Sequence, residues 1–308
     1  MKNLLSLCLL GMFAVSCIDK SYDLTDIDTD RIAIGDETSR FTVPLVTVTV
    51  LLDDIHDAKG SLQEMLAEAD TWLPSRLPGG AEYVDFARLY TDDAYLAELT
   101  GALVDEMGRS TDRLNEVADL AWKSYRKDFL APLGLNEATV DKARFTEAFV
   151  ALFATSEQLR RQTEASARKY LQLLEVSDLS YDLGKLDLGD VVDMLADNLD
   201  PQGTVDPVNT LSIEGEVSST LPLTMRLYPK FEPTGLTLEP FDIEVDATCA
   251  LPSTRIYAED LRALAAAGGV TIAVPVELQR YYPGRTLDPR PIAIRLSLLK
   301  TGSLKLDL

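Results

Sequence analysis

Four acidic side chains near the start of the chain, Asp26, Asp28, Asp30 and Glu37, fall at positions one, three, five and twelve of a calcium-loop pattern. Oxygen ligands at that spacing suit a hard cation. The pattern breaks at position six, where Arg31 replaces the glycine that makes the sharp turn, and at position eight, which is Ala33. No amphipathic helices flank the run, so an acidic connecting segment accounts for it better than a metal site. His56 is the only histidine, and histidine-based zinc chemistry needs further imidazoles or several thiolates. A Ser or Cys nucleophile paired with His56 stays formally open. Cys249, in Ala247-Thr248-Cys249-Ala250-Leu251 at the end of a predicted strand, reads as a small buried residue. Adjacent acid pairs such as Asp53/Asp54, Asp92/Asp93 and Asp105/Glu106 arise by chance in a chain with 50 acidic residues. Glycoside hydrolysis is defined by the separation of two carboxylates in space, which sequence does not give. Gly79-Gly80 and Gly268-Gly269 stand in turn contexts, without the lysine and helix start of a phosphate loop. The basic group Arg160-Arg161 and Arg168-Lys169 sits on a helical stretch beside acids of its own chain. The candidate binding residues are Tyr281, Tyr282 and Arg285, within Tyr281-Tyr282-Pro283-Gly284-Arg285. Aromatic rings and guanidinium groups at a hairpin tip stack on sugar rings or anchor a partner; the plainer alternative folds the rings over the end of the domain.

Charge narrows the partners. Fifty acids against 29 bases give a net charge of −21, and a field of that sign repels nucleic acid and anionic lipid headgroups. No nucleic-acid partner and no cofactor are expected. The hydrophobic share of 46% is ordinary for a folded chain.

The first seventeen residues carry a different signal. Lys2 precedes an apolar run from Leu4 to Val15, interrupted by Ser6 and Gly11, which closes on Ala14-Val15-Ser16-Cys17. The layout is that of a secretory signal. The run is too short to cross a hydrocarbon core of roughly 30 Å as a helix. This stretch resembles the lipobox of bacterial lipoproteins, with cleavage before Cys17. The resemblance implies a diacylglyceryl thioether and an N-acyl chain on Cys17, and chains contributing about 0.8 kcal/mol per methylene anchor stably when two or more are present. Cys8 leaves with the signal and Cys17 is acylated, so Cys249 has no disulfide partner and the core must hold the fold.

These residues need elements to position them. Residues 17–40 read as an acidic tether. Phe41 to Leu52 alternates Val and Thr with period two, which predicts a half-buried strand with Pro44 at its start or on an edge. Residues 56–178 turn helical. One helix follows Ser61 and stops before Pro74, and a second begins near Thr91, with Asp92 and Asp93 in its first turn, and stops at Gly108. A third runs from Ser110 or Thr111 through Phe129, and a fourth is capped by Asn136 and bends or continues near Thr155-Ser156. Residues 179–308 are β-rich, with predicted strands at Leu211 to Val217, Leu221 to Tyr228, Leu236 to Val245, Val270 to Leu278, Ile292 to Leu299 and Ser303 to Leu308. One helix, Ala258 to Ala267, interrupts them. The lone strand of residues 41–55 cannot bury its apolar side alone. Pairing with the C-terminal sheet makes the fold α+β, an antiparallel sandwich-like core with an inserted helical bundle.

Function is expected to be that of a lipid-anchored envelope lipoprotein, on the outer membrane by preference, acting without catalysis by binding or scaffolding. Its partners would be the bilayer, through Cys17, and an envelope protein or glycan. Two alternatives stand beside it: a surface-fibre subunit joined by exchange of Phe41 to Leu52 or Ile292 to Leu308, and a lipid-anchored hydrolase working through two carboxylates.

Overall fold

The computed structural model describes residues 31–52, 61–175, 179–184 and 191–307. The signal segment, Cys17, Asp26, Asp28, Asp30, Asp53, Asp54 and His56 lie outside them. In chain order, β1 (Arg31–Ile34) and β2 (Arg40–Val50) precede α1 (Leu62–Trp72), β3 (Val84–Asp85), α2 (Phe86–Thr91), α3 (Asp93–Met107), α4 (Thr111–Ser124), α5 (Arg126–Leu133), α6 (Lys142–Phe153) and α7 (Glu157–Gln172). Next come β4 (Leu179–Gly184), α8 (Val191–Ala196), β5 (Thr210–Ser219), β6 (Leu223–Leu227), β7 (Lys230–Glu232), β8 (Leu236–Thr237), β9 (Phe241–Ile243) and β10 (Ala247–Ile256). The chain finishes with α9 (Ala258–Ala266), β11 (Val270–Val274), β12 (Val276–Tyr281), β13 (Ile292–Thr301) and β14 (Leu304–Asp307).

One antiparallel sheet has the order β10-β5-β13-β2. β2 pairs with β13 from Arg40↔Thr301 to Val50↔Ile292, so the helices are an insertion between strands of one sheet, as the alternation of Val and Thr requires. Two further sheets, β3-β12-β6-β9 and β4-β11-β7-β8, are halves of one bent ladder. Pro275 parts β11 from β12 and Pro229 parts β6 from β7. Proline supplies no N–H at these bends, and Tyr228 N–H to Pro275 O, 3.1 Å, bridges them. β1 pairs with β14, which places a strand inside the stretch expected as tether. The brief alternation Arg31-Ile32-Ala33-Ile34 is too short among acids to stand out.

The helices start where their capping residues dictate. Side chains of Ser61, Asp92, Ser110, Asp141 and Ser156 accept from backbone N–H groups three residues on, filling donors that the first turn leaves unpaired. Asn136 is not the cap of α6; its side chain closes a turn by accepting from Ala138 N–H at 2.9 Å. The expected third helix breaks at Tyr125 (φ −128°, ψ 14°). That break sends the Tyr125 ring edge-on to Trp72, 5.4 Å between centroids, and its hydroxyl to Glu68. Phe145, Phe149 and Phe153 recur every fourth residue of α6 and stack in line at 6.1 and 5.9 Å, because that spacing puts them on one face. Each is essentially unexposed, and burying one stabilises by about 1.5–3 kcal/mol.

One apolar core runs without interruption from this stripe into the sheets. One contact fixes the insertion internally and a second welds it to the sheets. Buried Arg113 of α4 donates through Nη2 to the carbonyls of Asp70 (2.7 Å), Thr71 (2.9 Å) and Leu73, closing the C-terminal end of α1, where carbonyls have no helical partner. Tyr281 of β12 sends its hydroxyl to Asp70 Oδ1 at 2.5 Å, with Leu66 O at 3.2 Å, while β3 adds itself to β12.

Three sheet details depart from the sequence reading. Leu236 to Val245 is two short strands, β8 and β9, parted at Glu239-Pro240, and Val270 to Leu278 is cut at Pro275. Pro252-Ser253 is no turn, because β10 runs through it as an edge strand whose register shifts between Leu251 and Thr254. An edge strand with a bulge accommodates proline.

Candidate functional site

β12 ends at Tyr281, and Pro283-Gly284, with Gly284 at φ 73°, turns the chain out of its sheet and across to β13 in the other. The aromatic run therefore sits on a crossover between sheets and not at the tip of a hairpin. Tyr282 leaves the core and lies beside Tyr83, which immediately precedes β3, with ring centroids 5.6 Å apart and planes inclined at 50°. Arg280 Cζ stands 5.0 Å from the Tyr83 ring and Arg285 Cζ 4.9 Å from the Tyr282 ring. The result is a surface row, Arg280, Tyr83, Tyr282, Arg285, contributed by both the insertion and the sheet. Arg285 Nη1 closes it on Asp246 Oδ2 at 2.6 Å. Arg280 makes no ion pair among the described residues, and its hydrogen bond with the Tyr282 side chain raises its pKa further. Alternating guanidinium and ring faces favour planar, anionic or polyhydroxylated groups, since a cation over a ring contributes about 0.5–1 kcal/mol at an exposed site.

Of the three sequence candidates, the structure brings Tyr282 and Arg285 together and takes Tyr281 away. Tyr281 is 2% exposed and has no surface to offer a ligand; strand alternation sends neighbouring side chains to opposite faces. Tyr83 and Arg280 escaped the sequence reading because Tyr83 is almost 200 residues away in the chain and only the β3–β12 pairing unites them. Arg280, one step before the tyrosines, was the legible clue.

Of the other candidates, Asp26, Asp28, Asp30 and His56 lie outside the described residues. Glu37 lies exposed in the turn between β1 and β2. There Asp36 accepts from the Thr38 side chain and backbone and from Ser39 Oγ, and those bonds, the Thr38 side chain first, lower its pKa. Among the described residues no group of three His, Cys, Asp or Glu side chains is placed to hold a metal. Cys249 is free and half-buried in β10, less enclosed than expected because β10 is an edge. Asp92 caps α3 and pairs with Arg88 at 2.9 Å. Glu106 accepts from Ser75 N–H at 2.7 Å and from its hydroxyl. In the basic group Arg161 pairs with Glu157 at 2.5 Å and Arg168 with Glu164 at 3.8 Å, as anticipated, whereas Arg160 donates to a backbone carbonyl, Ala154 O, at 2.7 Å.

A groove of about 650 Å³ opens between α1, α4 and α7, with Glu64, Glu68, Lys123, Tyr125 and Lys169 among its walls. Glu68 is held there by the Tyr125 hydroxyl and by Trp72 Nε1 at 3.4 Å. Burial, followed by the bond to Glu68, pushes the Tyr125 pKa up. Of the two segments considered for strand exchange, β13 lies inside its sheet between β5 and β2, whereas β2 is at the edge.

No protein-family model and no curated protein matches this chain.

Proposed function

We propose that the chain is a lipid-anchored lipoprotein of the bacterial cell envelope, held at the outer membrane by acylated Cys17, whose folded part works by binding or scaffolding and not by catalysis. Anchoring rests on the Ala14-Val15-Ser16-Cys17 resemblance. The observation that carries the binding half is the row Arg280, Tyr83, Tyr282 and Arg285. An arginine with no ion pair among the described residues, beside two aromatic faces, favours an envelope protein or glycan. Aromatic and arginine side chains are also the usual anchors of interfaces. Metabolic labelling with palmitate, with Cys17→Ala as control, tests the anchor. Pull-down from envelope extract with wild type and with Tyr83→Ala/Tyr282→Ala tests the surface, and equal recovery by both proteins would remove the row as the binding face.

A second reading is favoured by one feature of β2. Natural edge strands are guarded by charge, proline and bulges; β2 has Pro44 with a register shift beside it but no charge from Phe41 to Leu52, and it is paired on one side only among the described residues. A surface fibre built by strand exchange would use that edge. Polymer ladders on a mildly denaturing gel support this reading, and a monomer at every concentration eliminates it.

A further inference from the structure

Lys300 occupies a position where strand alternation calls for an apolar residue. It follows Leu296 and Leu298 on the inward face of β13 and is 0% exposed. Its Nζ donates to Thr301 O at 2.6 Å, Ser303 O at 3.2 Å and the side-chain oxygen of Asn209, Oδ1, at 3.3 Å. Asn209, immediately before β5, gives its Nδ2 to Asp200 Oδ1 at 3.3 Å, which fixes the amide with its oxygen toward the lysine. Asp200 is pinned in turn, because its Oδ2 accepts from Val208 N–H at 2.7 Å and Asn209 N–H at 2.8 Å. Gly302 (φ 91°) seals the arrangement: a Cβ there would stand 2.5 Å from Asn209 Oδ1 and 2.9 Å from Val208 O. An amine, a carboxamide and a carboxylate are thus held in order, the lysine buried and its two partners half-buried at the sheet end. The carboxamide carbon lies one C=O bond, about 1.2 Å, from the oxygen that the amine touches.

We propose that Lys300 and Asn209 react with each other, joining Nζ to Cγ as an intramolecular isopeptide bond, with Asp200 holding the carboxamide in place through Nδ2. The amine, its extra proton given up to solvent, attacks Cγ with its lone pair to give a tetrahedral intermediate. A proton then passes from the former lysine nitrogen to Nδ2, the Cγ–Nδ2 bond breaks, and ammonia leaves. One amide replaces another, so no oxidant, reductant or co-reactant is consumed. Burial lowers the Lys300 pKa, which favours the nucleophilic amine. Backbone hydrogen bonds, led by that from Asn209, keep the Asp200 pKa below the ordinary carboxylate value, so the acceptor is ionised. Prior fixing of the reacting groups supplies the entropy that two free molecules would lose. The bond ties β13 to the start of β5 and closes a loop across 91 residues, at the end of the sheet where Arg40 of β2 meets Thr301.

Tryptic digestion and tandem mass spectrometry of the full chain test this without any variant. The expected product is a branched peptide containing both Lys300 and Asn209, lighter by one ammonia than its two parts. Asp200→Ala, with its fold checked by circular dichroism, is expected to keep the two peptides separate, as is Lys300→Arg. Recovery of unmodified Lys300 and Asn209 in separate wild-type peptides would overturn the proposal, leaving the lysine as a hydrogen-bonded cation. Branching that persists in folded Asp200→Ala would overturn the positioning role given to Asp200.

Discussion

Replacing Tyr281 by Phe isolates the weld between the insertion and the sheets. The ring stays, so the apolar burial of a residue 2% exposed is unchanged. What goes is the hydroxyl bridging to Asp70 Oδ1 at 2.5 Å and Leu66 O at 3.2 Å. A hydrogen bond to a charged acceptor is worth about 1.5–3 kcal/mol. Asp70 Oδ1 keeps the Gly284 N–H at 3.0 Å, which limits the damage, and the expected loss is about 2 kcal/mol. In a chain of this size that lowers Tm by about 3 °C. The measurement is urea unfolding followed in parallel by tryptophan emission and far-ultraviolet circular dichroism. Both tryptophans, Trp72 and Trp122, lie in helices of the insertion, whereas dichroism reports helices and strands together. Loosening the weld should separate two transitions that coincide in the wild type. Tyr282→Phe, at the surface, is the control, with a change of about 0.5 kcal/mol or less. If Tyr281→Phe unfolds within that same margin of wild type, the hydroxyl does not hold the parts together and the reasoning fails.

Arg113→Met should cost about 3 kcal/mol by urea unfolding, because the carbonyls of Asp70, Thr71 and Leu73 lose a buried donor; a loss under about 1 kcal/mol would show that water replaces it. Gly215→Ala places a methyl 2.0 Å from Arg295 O between paired strands and should destabilise by about 3 kcal/mol, whereas Gly268→Ala, which meets nothing, serves as the neutral comparison in the same melt. Burial is the leading cause that raises the Tyr281 and Tyr125 pKa values and pushes Tyr90 up to about 12. The fold therefore favours the neutral phenols, and stability is complete below the unfolded tyrosine value of 10.0 and declines as pH rises beyond it. Urea midpoints measured from pH 8 to pH 11, on the order of one unit apart, should fall only at the top of the range, and less steeply in Tyr281→Phe.

Much of the fold was legible because its cues are local. Ser61 and Ser110 announce helix starts by residue type alone, Thr155-Ser156 marked the place where α7 begins anew without deciding between a bend and one long helix, and the Val/Thr alternation of β2 requires a sheet partner that only the C-terminal region supplies. What escaped depends on distant contacts. The break at Tyr125 exists because its side chain reaches Trp72 and Glu68. β10 hides behind Pro252-Ser253, which reads as a turn until the strand is known to be an edge. At the candidate site, Tyr282 and Arg285 could be named from their types, but Tyr281 could not be assigned a face without the register of β12. Tyr83 joins them solely through strand pairing.

The placing of β2 beside β13 has a kinetic corollary. A contact between segments so far apart in the chain forms only after the intervening polypeptide has collapsed, since closing a long loop must precede any reward from joining its ends. The helices, rich in neighbours close in sequence, are expected to consolidate early, with the docking of β13 between β5 and β2 as the last cooperative event. Synthesis interrupted before residue 292 would leave β2 and β5 as two uncovered edges, a state open to association with other chains.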